Sequence, residues 1–146
     1  MLQIRDAQAS DAAGWRALWA GYLAFYKTPL PEAVSTATWE RILNPASPVF
    51  CTFAERDGEV IGFAVCVLHE ATWVTQPVCY LEDLFVAPGQ RGAGIGRALI
   101  EDLQTRARNA GWSRLYWHTG HDNPARKLYD EFVMADDFVR YRITLD

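Results

Sequence analysis

Apolar positions along the chain follow two periods, and the switches between them mark out its elements. Leu2 to Arg5 forms a short first strand. From about Ser10 the spacing becomes helical and holds to Phe25, with Trp15, Leu18, Trp19, Tyr22, Phe25 and Tyr26 on one face. Two prolines between Lys27 and Pro31 break that pattern. A second helix is expected from about Thr36 to Leu43, ended by Asn44-Pro45. Phe50 to Glu55 reads as a strand and Asp57-Gly58 as a tight hairpin turn. Val60 to Leu68 is the return strand, almost wholly apolar as a central strand would be.

Thr72 to Pro77 is a loop, and Val78 to Val86 is a strand rich in β-branched and aromatic residues. Ala87 to Gly92 is a turn with Pro88, Gly89 and Gly92, and from Gly94 on Ile95, Ala98, Leu99 and Leu103 recur at helical spacing until Gly111 stops the helix. Leu115 to Thr119 is a further strand, so the helix before it is a crossover between parallel neighbours. Asn123-Pro124 opens a last helix with Ala125, Leu128, Tyr129 and Phe132 on its apolar face, and Phe138 to Leu145 alternates as a closing strand. The expected order is β-α-α-β-β-β-α-β-α-β: an α/β fold with a mixed central sheet flanked by helices, in one domain over residues 1–146.

Composition narrows the function classes. Half of the 146 residues are hydrophobic and 22% are charged, which is ordinary for a soluble domain. The formal net charge of -4 argues against nucleic acid as partner and for a cationic one. Cys51, Cys66 and Cys79 lie in apolar strands, are odd in number and form no C-x-x-C pair. They are expected as buried thiols in a reducing compartment. The first residues carry no signal-peptide pattern, and the longest apolar run, Val60 to Leu68, is far too short to span a bilayer. A cytoplasmic location without membrane contact follows as an expectation.

The strand–turn–helix from Tyr80 to Leu103 carries the chemistry. A helix N-terminus has unpaired N–H groups and the positive end of the dipole, and Gly92, Gly94 and Gly96 keep side chains off those groups. Arg91 adds a full charge suited to phosphate. The stretch reads as a phosphate or pyrophosphate cradle, or else as a plain glycine-rich turn with a surface arginine. It is no P-loop, and the spacing in Gly92-Ala93-Gly94-Ile95-Gly96 is wrong for a dinucleotide fingerprint.

What it does match is Arg91-x-x-Gly94-x-Gly96 after a strand and Val86-x-Pro88, which resembles the acetyl-CoA motif of the GNAT superfamily of N-acetyltransferases. Tyr80-Leu81-Glu82-Asp83-Leu84-Phe85-Val86 looks like the matching strand of the histone/polyamine branch. Asn123-Pro124-Ala125-Arg126-Lys127-Leu128-Tyr129 resembles the second signature of the family. There the usual Asn falls three residues before the Ala, which here is Asp122, so either Asp122 or Asn123 meets the pantetheine arm. The element order agrees over essentially the whole chain.

The resemblance implies acetyl-CoA as cosubstrate and no metal. It implies a site built from Leu84, Phe85, Val86, Arg91, Gly92, Ala93, Gly94, Ile95, Gly96 and Arg97, with Asn123 and Arg126 adding contacts. It implies Tyr129 as the proton donor to the departing CoA sulfur, a role a phenol near 10 can fill for a thiol near 8.5. Glu82 is the strand carboxylate expected to take the proton of the amine, with Asp83 on the opposite face by alternation. Glu32 and Glu40 are candidate acceptor contacts, and the aromatic end of the first helix is a candidate amine wall. His69, His118 and His121 have no partners at metal-ligand spacing. The expected reaction is direct acetyl transfer to a primary amine (a polyamine, diamine or amino acid), with a protein lysine or N-terminus as alternative. The other readings are a non-catalytic acyl-CoA-binding module and an assembly unit that binds nothing. The apolar last strand and the many aromatics argue for a homodimer.

Overall fold

The computed structural model describes residues 1–145. A five-stranded sheet runs in the order β1 (Leu2–Asp6), β2 (Val49–Arg56), β3 (Glu59–His69), β4 (Val78–Val86) and β5 (Arg114–Tyr116). Neighbours are antiparallel except β4 and β5, which are parallel. Helices α1 (Ala12–Phe25) and α2 (Glu32–Leu43) precede β2, α3 (Ile95–Ala110) links β4 to β5, and α4 (Arg126–Tyr129) follows β5.

β3 is apolar from Val60 to Leu68 because both of its faces are covered there. On one face Ala54, Ile61, Ala64, Cys66, Cys79 and Leu81 bury against Ile95, Leu99, Ile100 and Leu103 of α3. On the other, Cys51, Phe53, Phe63, Val65 and Phe85 bury against Trp15, Leu18 and Trp19 of α1 and Ile42 of α2. At roughly 1.5–3 kcal/mol for each large side chain removed from water, these two layers hold the sheet between its helices. All three cysteines lie unpaired in these layers. The hairpin forms where expected: Asp57 and Gly58 take φ of 54° and 78°, and Arg56 pairs with Glu59. α2 begins four residues earlier than the spacing indicates, at Glu32, because Pro31 supplies an extended N-cap directly before it.

Two irregularities of β4 shape its outer half. A bulge lies at Glu82: Val65 pairs with Asp83 and Cys66 with Leu81, so Glu82 has no opposite residue. The ladder to β5 covers only Val78, Cys79 and Tyr80 against Arg114, Leu115 and Tyr116. Beyond that point the two strands part, and β5 stops well short of the expected Thr119. The last helix is also short. Asn123 to Val133 is a run of turns in which only Arg126–Tyr129 is regular helix.

The closing strand does not form. Phe138 to Leu145 takes no regular secondary structure and pairs with nothing among the described residues, and Phe138, Tyr141 and Ile143 are 87%, 92% and 87% exposed. Alternation marks a segment able to be a strand, but a strand also needs a partner in register, and none of the ladders among the described residues includes this segment.

Candidate active site

The cradle comes out of local geometry. Pro88–Gln90 form one 3-10 turn, and Gly92 and Gly94 then take φ of 83° and 78°, a left-handed conformation open to glycine without strain. A Cβ at either position would meet nothing within 4 Å, so open space lies over the turn. α3 starts at once, capped by the Gly94 backbone alone. From Gly92 to Arg97, no backbone N–H finds an acceptor among the described residues. Six consecutive free N–H groups at the positive end of a 16-residue helix are what a diphosphate needs.

The side chains of the cradle are engaged elsewhere. Ile95 is 1% exposed and anchors the turn in the core, so it offers a ligand only its N–H. A Cβ on Gly96 would lie 3.2 Å from Leu128 Cδ2, so this glycine lets α4 pack against α3; the expectation that it clears space for ligand is corrected. Arg97 pairs with Glu131 at 2.6 Å and lies 5.6 Å over Phe132, which ties α3 to the turn after α4. The Arg91 guanidinium lies over the rings of Phe25 and Phe85, at 5.1 and 5.4 Å, while its Nε donates to the Val86 carbonyl. Its charge therefore sits between α1 and the end of β4, and backbone alone builds the cradle.

Where β4 and β5 part, alternate N–H and C=O groups of β4 beyond Tyr80 lose their partners on that side. Leu84 and Val86 turn their side chains to the α3 layer and Phe85 to the α1 layer, so the gap is lined by backbone. Tyr129 lies near the same gap, half-buried and packed edge-on against Trp117 at 5.5 Å. Its hydroxyl has no hydrogen-bond partner among the described residues. Burial, with Tyr26 nearby, pushes its phenol up to about 12, so it keeps its proton at neutral pH. Asn123 works locally: its Oδ1 accepts from the Ala125 N–H at 2.9 Å and its Nδ2 donates to Tyr26 Oη at 3.3 Å. Asp122 is 99% exposed beside His121. Arg126 donates to the His121 carbonyl and so fixes the loop before α4.

The two carboxylates do not sit on opposite faces, because the bulge breaks the alternation. Glu82 is exposed. Asp83 points to α1, where Tyr22 donates to its Oδ1 at 2.7 Å. Burial raises the Asp83 carboxyl to about 6, the Tyr22 hydrogen bond opposes the rise, and the charge of Glu82 adds to it. The same two charges, with burial as the main cause, push Tyr22 far above the usual phenol range. Glu82 and Asp83 therefore act on one place. Around it stand Tyr22 of α1, Tyr26 just after that helix, and Tyr80 of β4 stacked on Tyr116 of β5 at 5.0 Å, with His118 beyond β5 against both. His69 Nδ1 lies 2.7 Å from the Glu70 carbonyl, which can only accept. That nitrogen therefore carries the proton, and Nε2 accepts from Tyr116 Oη at 2.8 Å. Two carboxylates among aromatic faces suit an ammonium group.

The tyrosine–histidine wall escaped the sequence because His69 and Tyr116 are 47 positions apart, Tyr80 and His118 are 38 apart, and they join only through the sheet. Asp83 was visible but wrongly placed by alternation. Glu32 is bound by Arg16 and Glu40 lies on the exposed side of α2. Among the described residues no three His, Cys, Asp or Glu side chains gather as metal ligands, and no helix is long and apolar enough to cross a membrane. An open cavity of about 760 Å³ lies at the other end of α3, lined by Asp6, Asn44, Phe50, Arg106 and Trp112, and holds none of these groups.

A free-amide cradle beside a parted strand pair suits the diphosphate-bearing cosubstrate that the resemblance in the sequence implies. The profile of the acetyltransferase (GNAT) family matches residues 15–132, and the chain belongs to that family. It is 34% identical over 142 residues to the D-amino-acid N-acetyltransferase HPA3 of Saccharomyces cerevisiae, covering 95% of this chain and 88% of that one. It is 36% identical over 115 residues to an aminoglycoside N(6')-acetyltransferase type 1 of Stenotrophomonas maltophilia, covering 77% and 71%. The structure of AAC(6')-Iy in complex with the bisubstrate analog CoA-S-monomethyl-acetylneamine superposes with a TM-score of 0.83 at 25% identity, covering 99% of both chains. The protein is an N-acetyltransferase that uses acetyl-CoA.

Proposed function

We propose that this enzyme moves the acetyl group of acetyl-CoA directly to the primary amine of a small cationic molecule. Amino acids are the first acceptor class, followed by diamines, polyamines and aminoglycosides. The observation that carries the reading is the run of unpartnered backbone at the β4–β5 gap and the start of α3, with Tyr129 at one end and Glu82 and Asp83 at the other. The likeness to a D-amino-acid acetyltransferase supports the order of acceptors.

The backbone amides of Gly92 to Arg97 hold the pyrophosphate, and the open edge of Leu84, Phe85 and Val86 holds the pantetheine arm and the thioester. Asn123 and Arg126 set the loop that closes the far side of the arm. An amine of pKa near 10.4 is almost wholly protonated at pH 7 and cannot attack. Glu82 and Asp83 attract the ammonium, and Glu82, open to water, takes its proton. The nitrogen then adds to the thioester carbon, free N–H groups of β4 stabilise the oxygen as it becomes negative, and the C–S bond breaks. The departing sulfur takes a hydrogen bond and then a proton from Tyr129 Oη, and the second proton of the amine nitrogen, released as the amide forms, passes through water to restore the phenol. No covalent enzyme intermediate is needed.

The test is thiol release from acetyl-CoA across D- and L-amino acids, polyamines, aminoglycosides and lysine peptides, with the product identified by mass. Turnover with one class of small amine is the expected result. Turnover confined to peptides would replace the small acceptor with a protein one.

A further inference from the structure

Tyr26 ties the two sides of the site together. It follows the last residue of α1, and its ring packs on Tyr22 and on Phe25 with centroids 5.0 Å apart in each case. Its hydroxyl reaches across to Asn123, 97 positions along the chain. The polarity of that contact is fixed. Asn123 Oδ1 accepts from the Ala125 backbone N–H at 2.9 Å, so Nδ2 is the atom that faces Tyr26. An amide nitrogen can only donate. Tyr26 Oη therefore accepts at 3.3 Å, and no acceptor among the described residues takes its own proton.

Tyr129 is placed to use that proton. Asn123 stands just before α4, and Tyr129 is the last residue of that helix. Helical side chains lean back toward the N-terminus, so the Tyr129 ring leans toward the end where Asn123 holds Tyr26. The Tyr129 hydroxyl has no hydrogen-bond partner among the described residues, and burial, with Tyr26 nearby, raises its phenol to about 12. That is a weaker acid than a thiol near 8.5, because a buried phenolate with no donor facing it is costly. A donor aimed at the oxygen makes the loss of its proton easier. Tyr26 is 45% exposed where Tyr129 is half-buried, so it also has the better access to solvent protons.

We infer that Tyr26 is a positioning residue for the acetyl transfer: its hydroxyl, turned by Asn123, donates through one water to Tyr129 Oη and supports that phenol as it gives its proton to the departing sulfur. The proton is replaced along the same line. Tyr129 Oη takes one from the water, the water takes one from Tyr26 Oη, and Tyr26 recovers its own from solvent, to which the amine has released one. Over a turnover the enzyme neither gains nor loses a proton. Asn123 stays aimed at the Tyr26 oxygen while that oxygen is briefly without its proton. The inference rests on the donor role proposed above for Tyr129.

The experiment is a cycle of four proteins: wild type, Tyr26→Phe, Tyr129→Phe and the double variant. Each is assayed for kcat at saturating acetyl-CoA with the fastest amine acceptor. Phenylalanine keeps both ring contacts of Tyr26, and far-UV circular dichroism checks that each variant is folded. Tyr26→Phe should lower kcat about tenfold, less than the roughly 10²–10⁴ carried by the donor itself, with the KM for acetyl-CoA little changed. In the Tyr129→Phe background the same substitution should change nothing, whereas a residue that only packs α1 would act in both. Asn123→Asp keeps the bond to Ala125 but puts a carboxylate where the N–H was. That carboxylate accepts the Tyr26 proton and draws it from Tyr129, so kcat should fall as far as with Tyr26→Phe, and no further when the two are combined. Full rate in Tyr26→Phe or in Asn123→Asp, or an equal loss from Tyr26→Phe in both backgrounds, would overturn the inference and leave the proposed function standing. Full rate in Tyr129→Phe would remove the proton donor of that function, and this pair with it.

Discussion

Asp83→Asn should make the protein more stable at neutral pH while it impairs function. The Asp83 carboxyl is raised from 3.8 to about 6, chiefly by burial, with the Tyr22 hydroxyl at 2.7 Å as its partner. Because the folded-state value exceeds the unfolded one, the favourable contribution of this group is full below about pH 4 and is lost as pH rises through 6. A rise of about two units at 1.36 kcal/mol each, less what pH 4 itself forfeits, gives roughly 2–3 kcal/mol between pH 4 and 7.5. Partial solvent access makes that an upper figure. Asparagine cannot ionise, yet its Oδ1 still accepts from Tyr22, so the variant escapes this loss for about 1 kcal/mol of weakened hydrogen bond. Urea unfolding of both proteins at pH 4, 5, 6 and 7.5 reads the difference. The advantage of the variant should grow with pH and level off near 7. A difference flat across that range would refute the argument that a buried charge is held here at a cost in stability.

Tyr129→Phe keeps the packing on Trp117 and should lower kcat by about 10²–10⁴ with CoA affinity little changed; single-turnover kinetics and calorimetry measure the two. Glu82→Gln should slow turnover most at low pH, where less free amine is available. A pH–rate profile of unchanged shape would remove Glu82 from proton transfer. Gly94→Ala should raise the KM for acetyl-CoA and cost about 1–2 kcal/mol of stability, since alanine is strained at φ 78°. Gly96→Ala instead pushes on Leu128, so its effect should fall on kcat through the position of Tyr129, which steady-state kinetics on the pair of variants will separate.

Much of this was legible wherever the signal was local. Asp57-Gly58 fixes its own turn, the apolar run of β3 announces a central strand, and the glycines after Val86 mark a helix start with free amides. Features that depend on what a strand meets were not legible. The bulge at Glu82 arises from the register with β3, and it brings Glu82 and Asp83 together against their alternation. The early end of the β5 ladder is likewise a property of two strands. Arg91 carries the charge expected at a phosphate, but the rings of Phe25 and Phe85 claim it, a contact between residues 66 and 6 positions away. Phe138 to Leu145 has the pattern of a strand and enters no ladder among the described residues.

The account turns on where acetyl-CoA binds. Titrating the ¹⁵N-labelled protein with acetyl-CoA and following its amide resonances would locate the site residue by residue. The largest shifts should fall on Gly92, Ala93, Gly94, Ile95, Gly96 and Arg97, on Leu84 to Val86, and on the Asn123–Arg126 turn. Shifts gathered instead around Asn44, Phe50 and Trp112, at the far end of α3, would contradict it.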